Sequence, residues 1–480
     1  MEFEVRQYQE DAFNNTKAEF GKGKKRVILT MPTGSGKSHV AIKVIKGALD
    51  KGSKIGFCVD RLTLLDQITN MIYNEDIRDF GIIQANNPLY RPSENLQIMT
   101  SQTLGRRTLQ PFDVIIIDEC HVVYKSVTKI MKEWENTLFI GLTATPFTRG
   151  LGKIWESLVN GTSTADLIKD GFLCNYKAFG FKKPDLKGCK ISGGDYNKKD
   201  LAKRSRKKEL IGDIVENWFQ LASDRQTVVG AVDVAHAEEI AEMFKNENVR
   251  ADVIHCYLPD DEIKYKLKLF KNNEIQILSS VDLISRGFDM PALDCLICAR
   301  STKSLNYHLQ FLGRGLRPAP NKNHLLILDH AGNIERLGYP DDDFEMKLDM
   351  GIKKQQPRVK SEKLPKPCPQ CGFLTKSRKC ENCGFEKKRR STVIYKEGEL
   401  IELQKNNKKT ISIEDKDKLY SKLLAGAKAA QFNDGWAAYK FKEKFGIWPA
   451  RRVEPDQKFF EFLVNIPRNR MMKIIWGLNK

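Results

Sequence analysis

The chain has 480 residues, with 80 Lys and Arg against 61 Asp and Glu and a formal net charge of +19. That length corresponds to about three domains, and 41% hydrophobic with 29% charged residues fits a soluble, folded protein. No run approaches the ~20 consecutive apolar residues of a membrane span. Residues 1–6 lack the apolar stretch of a secretory leader. Eleven cysteines, four of them from Cys368 to Cys383, suit a reducing compartment with one metal site better than a disulfide scaffold.

The charge is uneven. Residues 1–350 hold 49 basic and 47 acidic side chains, whereas 351–480 hold 31 and 14, a net of +17. A near-neutral body with a basic appendage points to a polyanionic partner. A merely solvated tail is the alternative, and patterned cysteines and clustered aromatics weigh against it.

In chain order, short apolar runs at 27–30, 55–59, 114–117 and 138–142 read as buried strands of a parallel sheet with helices between them. A second series follows at 227–230, 251–254, 275–278, 295–298 and 325–328. Two successive α/β units are the economical reading, with a boundary between about 161 and 210. Residues 351–367 read as a linker, and 411–480 carry helical periodicity. The expected domains are 1–165, 166–350, a small metal module at 360–392 and a basic helical module at 400–480.

Thr33-Gly34-Ser35-Gly36-Lys37-Ser38 follows one predicted strand and opens a helical pattern, the context of a phosphate-binding loop. Gly34 and Gly36 let backbone N–H groups curl around phosphate oxygens. Lys37 would neutralise β- and γ-phosphate charge, and Ser38 would ligate Mg²⁺. The longer form of this motif has Gly where Met31 stands. At the end of the strand 114–117 come Asp118 and Glu119, where parallel sheets place ligands. Asp118 suits Mg²⁺, and Glu119 suits orienting and deprotonating an attacking water.

Asp118-Glu119-Cys120-His121 together with the phosphate loop resembles the DEAD/DEAH-type superfamily 2 helicases, and most closely the branch of XPB-like and restriction-enzyme (ResIII-like) motors, of phage or bacterial type. The resemblance covers about residues 3–335 and implies two tandem RecA-like domains, ATP and Mg²⁺. It implies adenine recognition by Arg6-Gln7-Tyr8-Gln9, with Gln9 reading the base edge and Tyr8 nearby. It also implies nucleic-acid contacts from Arg61, from Thr100-Ser101-Gln102 and from Ser280, and nucleotide contacts from Gly287 and Asp289. Thr143-Ala144-Thr145 would couple hydrolysis to strand movement. Gln310 and the arginines Arg314 and Arg317 would reach across the cleft, where an Arg stabilises charge developing on the transferred phosphoryl group. His121 reads either as a coupling residue or as a packing histidine, and Cys120 as a small packed side chain.

Cys368-x2-Cys371-x8-Cys380-x2-Cys383 is a zinc signal, since each Cys-x-x-Cys turn presents two thiolates to one ion. The pattern is similar to a zinc ribbon, with no ligand position left for water, so the ion would be structural; redox-active thiols are the rival. Further on, Trp436, Phe441, Phe445 and Trp448 interleave with lysines, which fits a small helical core or stacking on single-stranded bases. The basic stretch 198–208 reads as an exposed helix face or a phosphate contact.

The expectation is an ATP-dependent DNA helicase or translocase that unwinds or remodels DNA in replication, recombination or repair. An RNA helicase and a double-strand translocase or branch remodeller are the alternatives. Single-stranded or branched DNA, a monomeric state, a cytoplasmic setting in a bacterial or phage-infected cell, and replication, repair or restriction partners complete it. The resemblance implies 3′→5′ movement. A binding protein that merely switches with ATP is weakened by the intact Asp118/Glu119 pair and both arginines.

Overall fold

The computed structural model describes residues 5–477 except 61, 85–86, 182–183, 283–292, 321, 353–363, 378, 387–412, 446–448 and 450–452. It divides into two compact units, 1–388 and 389–480.

The first unit contains two sheets. Lobe 1 has seven parallel strands: β1 (Arg26–Thr30), β2 (Ile55–Val59), β3 (Phe80–Ile83), β4 (Leu96–Thr100), β5 (Val114–Ile117), β6 (Leu138–Thr143) and β7 (Ser157–Asn160). Their order is β3-β4-β2-β5-β6-β1-β7. Helices α1 (Gln7–Gly21), α2 (Lys37–Leu49), α3 (Leu62–Asn74), α4 (Ser101–Arg106) and α5 (Lys125–Glu133) accompany it, and α6 (Thr164–Lys169) follows. The Val- and Ile-rich strands are apolar throughout because both sheet faces are covered, one core gathering around Leu29, Ile45, Ile98 and Ile116, the other around Ile28, Ile115, Phe139 and Trp155.

Lobe 2 opens with β8 (Asn175–Gly180), then the hairpin β9 (Ile191–Ser192) and β10 (Asp195–Tyr196), α7 (Lys198–Ser205) and α8 (Lys208–Ala222). Next come β11 (Thr227–Gly230), α9 (Val234–Asn246), β12 (Ala251–His255), α10 (Asp260–Lys271), β13 (Ile277–Val281), β14 (Cys295–Cys298), α11 (Leu305–Gly315), β15 (His324–Asp329) and α12 (Asn333–Leu337). The six-stranded parallel sheet runs β12-β13-β11-β14-β15-β8. One predicted strand, 275–278, is displaced: the ladder begins at Ile277 and continues to Val281.

After α12 the chain returns to lobe 1. Phe344 packs at 6.1 Å between ring centroids from Phe147, Gly152 N–H donates to Asp349 O at 2.8 Å, and Leu348 joins the lobe 1 core. Two short strands, β16 (Lys366–Pro367) and β17 (Leu374–Thr375), then form the cysteine module. This module seats on β8: Gly180 N–H donates to Gly372 O at 2.9 Å, Phe179 bridges Phe373, and Leu374 is 1% exposed inside the lobe 2 core. The module thus covers a sheet edge that would otherwise be open to pairing.

The second unit is helical: α13 (Ile413–Ala429), α14 (Asp434–Phe445), α15 (Gln457–Val464) and α16 (Arg468–Gly477). Phe441 is buried with Leu423, Leu424 and Ala437, and Trp436 packs against the same cluster and against Phe432. Both aromatics therefore serve the core, which favours that reading over free stacking surfaces. Phe445's side chain and Trp448 lie outside the described residues. No described helix is long and apolar enough to cross a membrane.

Candidate functional site

Strands β5, β6 and β1 are neighbours and all parallel, so their C-terminal ends share one rim. The phosphate loop leaves β1, Asp118 and Glu119 leave β5, and Thr143 ends β6. The loop is pinned to this rim by Met31 N–H donating to Thr143 O at 3.1 Å. Gly36 stands at φ 81°, a left-handed conformation that lets the loop turn into α2 at Lys37. The first turn of α2 leaves backbone N–H groups unpaired and its dipole end facing the loop, a ready anion site. Lys37 Nζ donates to Met31 O and Pro32 O at 3.1 and 3.2 Å, and desolvation pulls the Lys37 ammonium below its usual range. Ser35 Oγ is buried without a hydrogen-bond partner, Thr33 lines the loop, and Ser38 is exposed at its mouth. An orphaned hydroxyl, an ammonium and free helix N–H groups form a donor set that fits a polyphosphate.

The acidic pair has the matching character. Burial, then the neighbouring Glu119, pushes Asp118 up to about 6. Burial also raises Glu119, but the hydrogen bond from His121 and the charges of His121, Lys37 and Arg314 outweigh it and hold this carboxyl below its usual range. Two enclosed carboxylates side by side have the charge and chemistry that fit a divalent cation. Glu119 also has φ 47°, an outlier for a residue with a Cβ and a conformation that clusters at functional sites.

Lobe 2 meets this rim through α11. Gln310 Nε2 lies 3.3 Å from Glu119 Oε2 and 3.5 Å from His121 Nε2, and His121 Nδ1 lies 3.0 Å from Thr143 Oγ1. Thr145 N–H donates to Thr143 Oγ1 at 3.0 Å, while Thr145 Oγ1 is buried and unpartnered. His121, Thr143, Thr145 and Gln310 thus form one connected network with Glu119. Arg314 is buried, and both it and Arg317 act electrostatically on Lys37. A Cβ on Gly34 would touch Leu173 and the Arg317 side chain, so Arg317 lies over the loop.

At the other end of the loop, Tyr8 Oη donates to Ser35 O at 2.8 Å and Gln9 Nε2 to the same oxygen at 3.1 Å. The Arg6 guanidinium donates to Tyr8 Oη and stacks 4.2 Å above Phe172, whose ring is 5.5 Å from that of Tyr8. The four side chains make an aromatic and amide corner beside the phosphate loop.

Other expected contacts fare differently. Thr100 caps α4 by accepting from Thr103 N–H. Ser101 is buried, its hydroxyl near Cys58 Sγ and Val59 O, and Ser280 is buried with an unpartnered hydroxyl, whereas Gln102 is exposed. Gln102 is the one exposed side chain among these four. Arg61, Gly287 and Asp289 lie outside the described residues.

Three participants escaped the sequence reading. Phe172 carries the Arg6–Tyr8 corner. Asn306 Nδ2 donates across the lobes to Thr148 Oγ1 at 3.2 Å, and that hydroxyl donates to His121 O at 2.7 Å. Gly313 approaches Thr33 so closely that a Cβ would sit 2.8 Å from the Thr33 Cβ. Phe172 and Asn306 belong to no local motif, and Gly313 lies within the Gln310–Arg317 stretch without being singled out there; each acts by proximity across the cleft.

The four thiols of Cys368, Cys371, Cys380 and Cys383 lie within 4.8 Å of one another, with Cys368–Cys383 and Cys371–Cys380 sulfurs at 3.7 Å. Zn–S bonds of ~2.3 Å in a tetrahedron give sulfur separations of ~3.8 Å, so the set fits zinc. The two turns repeat each other: Gly372 N–H donates to Cys368 O and Gly384 N–H to Cys380 O, both at 2.9 Å, with both glycines left-handed at φ 70° and 73°.

Residues 2–148 match the family model of the type III restriction enzyme res subunit, and residues 206–319 match the helicase conserved C-terminal domain. A 51.5 kDa protein of a Lactococcus phage (isolate 7-9) is 28% identical over 400 residues, 80% of this chain and 84% of that protein. IRC3 of Saccharomyces cerevisiae, named as an ATP-dependent helicase, is 27% identical over 369 residues, 68% of this chain and 51% of its own length. The chain thus spans most of the phage protein but about half of the yeast one. Among solved structures, a fragment assigned to an HsdR subunit of a type I restriction enzyme from Vibrio vulnificus superposes with a TM-score of 0.55 at 23% identity. It covers 70% of this chain and 67% of that one, a likeness of fold. With both models in tandem over two parallel-sheet lobes that share one cleft, the chain is a superfamily 2 helicase of the ResIII, restriction-motor branch, a class of nucleic-acid-dependent ATPases.

Proposed function

We propose that the protein is an ATP-driven DNA motor that unwinds or remodels DNA. The observation that carries this is the composite cleft: Lys37, Asp118 and Glu119 come from lobe 1, and Gln310, Arg314 and Arg317 come from lobe 2 to meet them. Thr33, Gly34, Ser35, Gly36, Lys37 and Ser38 hold the triphosphate, and Arg6, Tyr8 and Gln9 with Phe172 hold the base. Ser38 and Asp118 would hold Mg²⁺, which when bound would neutralise charge on the phosphates. Glu119 orients the attacking water and takes its proton, while Arg314 and Arg317 stabilise the charge that develops on the transferred group. His121, Thr143, Thr145 and Gln310 carry the change in the cleft between the lobes, and loss of the γ-phosphate loosens their junction. One chain supplies both halves of the cleft, so a monomer is sufficient.

DNA is favoured over RNA because the family match and the aligned fold are those of restriction-enzyme subunits. Cys368, Cys371, Cys380 and Cys383 would hold zinc in a structural role, with all four positions taken by thiols. A place in replication, recombination, repair or restriction fits such a motor equally.

ATP hydrolysis by the wild type and Lys37→Ala is the test, run without polymer and with single-stranded DNA, duplex DNA or RNA. Stimulation of the wild type by DNA, at least ~100-fold lower in Lys37→Ala, is expected from loss of the phosphate-binding ammonium. RNA as the stronger activator would make the track RNA, and triplex displacement without strand separation would make the motor a duplex translocase. Flat turnover in all four conditions overturns the motor reading.

A further inference from the structure

The two family matches stop at 148 and resume at 206, and the hairpin–helix segment 184–208 lies between them but for its last three residues, which open the second match. It holds nine basic and three acidic side chains, so the rest of residues 1–350 is net acidic at −4. Its anchors are specific. Leu201 and Ala202 pack on Val232 just beyond β11. Lys198 pairs with Asp282 at 2.6 Å just beyond β13. Asp195 accepts from Thr302 Oγ1 at 2.7 Å and Lys303 N–H at 2.6 Å, beyond β14. Beneath it Arg300, 9% exposed, pairs with Asp282, lies 3.5 Å from Asp195 and stacks on Tyr307. The segment is therefore bolted over the C-terminal ends of three adjacent parallel strands, the rim where such sheets meet their ligands.

Its outward face is unlike its anchored one. Among the described residues Lys187, Lys190, Lys199, Lys203 and Lys207 are exposed and paired with no carboxylate. Lys199 and Lys203 are one turn apart on α7, and Lys207 lies just beyond that helix, at the N-cap of α8. Like charges at i and i+4 destabilise a helix, and Asp200, the one acidic residue of α7, accepts from Lys190 N–H at 3.2 Å and cannot neutralise both lysines. A row of phosphates would.

We propose that residues 184–208 form a nucleic-acid backbone grip carried by lobe 2, with Lys199, Lys203 and Lys207 on the phosphates and the Lys198–Asp282 pair tying the grip to the end of β13. This rests on the motor reading above and names a contact whose residues, Lys207 apart, lie outside the two matched domains. A grip fixed to lobe 2 travels with that lobe when the cleft opens.

The test compares full-length wild type, the triple variant Lys199→Gln/Lys203→Gln/Lys207→Gln, and a control triple, Lys264→Gln/Lys268→Gln/Lys271→Gln, that removes three exposed lysines of α10. DNA affinity is measured against salt, alongside basal and DNA-stimulated ATPase. Each lost phosphate contact removes about 0.7 to 0.9 from the slope of log affinity against log salt, so the first triple is expected to be shallower by about 2 to 3. It needs correspondingly more DNA for half-maximal stimulation, with basal turnover unchanged. A wild-type slope in the first triple, or an equal loss in the control, overturns the grip while the motor stands. A wild type unstimulated by any polymer overturns the motor and the grip with it.

Discussion

Gly313→Ala separates closing of the cleft from stability of the lobe. The glycine lies inside α11, and a Cβ there would sit 2.8 Å from Thr33 Cβ and 3.2 Å from Thr33 Oγ1. Apolar carbons rest at about 3.5–4.0 Å, so the lobes must part by roughly 0.7 Å or more at the point where α11 meets the phosphate loop. The obstructing atom is a Cβ fixed to the loop backbone and cannot swing away. Overpacking of this kind costs about 1–3 kcal/mol, here charged only to the closed arrangement. At ~1.4 kcal/mol per tenfold, kcat of polymer-stimulated hydrolysis should fall between about 5- and 150-fold. Folding moves the other way: Ala is the better helix former by ~1 kcal/mol, so lobe 2 should unfold at the same temperature or higher. Steady-state ATPase and thermal denaturation of the same preparation give both numbers. A kcat within twofold of wild type would refute the claim that Gly313–Thr33 contact is part of the working state, and a lowered melting temperature would attribute any loss of activity to folding.

Acid should weaken lobe 2 steeply. Burial pushes His236 and His308 down to about 4 and His330 to about 3. Their unfolded forms titrate near 6.5, so between pH 6.5 and 4 the unfolded chain binds up to three more protons. The stability they contribute is complete above 6.5 and drains as pH falls, at up to ~4 kcal/mol per pH unit near pH 5; urea titrations at pH 7.5, 6 and 5 should show this, and a flat profile would contradict it. Zinc is expected at one ion per chain, and its removal by a chelator or by Cys371→Ser should release Leu374 from the lobe 2 core and uncover β8. Enhanced proteolysis between 366 and 386 and light scattering would register that, while a full-length protein with reduced thiols and no zinc would sink the assignment.

Sequence legibility followed unbroken apolar runs more than burial: β4 is interior and fully buried but broken by Gln97 and was not read, whereas the edge strand β12 was. Central strands such as β5 and β14 are apolar throughout because both faces are covered, and their runs are visible without structure. Strands β3, β7 and β8 lie at sheet edges, where β7 and β8 mix exposed and buried positions and β3 contains Gly81, so no apolar run announces them. The same division governs the site. The phosphate loop and the acidic pair are chemistry in consecutive residues, and the thiol spacing is geometry in consecutive residues. Gly313, Phe172 and Asn306 act on partners more than a hundred residues away in chain, and a single sequence holds no sign of that. The ribbon's thiols were legible, but its seat on β8 depends on Leu374 and Phe373 meeting a strand that the sequence did not reveal.

The junction between the lobes has the energetics of something that must open. Glu119 is held at φ 47° by its own turn: Cys120 N–H donates to Leu142 O at 3.0 Å, Glu119 N–H to Asp118 Oδ1 at 3.0 Å, and Val122 N–H to Glu119 O at 2.9 Å. A left-handed residue with a Cβ costs ~1–3 kcal/mol, and three hydrogen bonds from one lobe suffice to hold it. The position of the carboxylate is therefore set by lobe 1 alone. Gln310 Nε2 reaches the carboxylate at 3.3 Å, and the same amide reaches His121 Nε2 at 3.5 Å, both long for hydrogen bonds. Asn306 adds a third crossing at 3.2 Å. Contacts of this quality are worth ~0.5–1.5 kcal/mol each at best, a total that loss of the charge bridging Lys37 and the two arginines can overcome. Short, fully buried bonds at the same positions would lock the cleft and leave a nucleotide-binding protein in place of a motor.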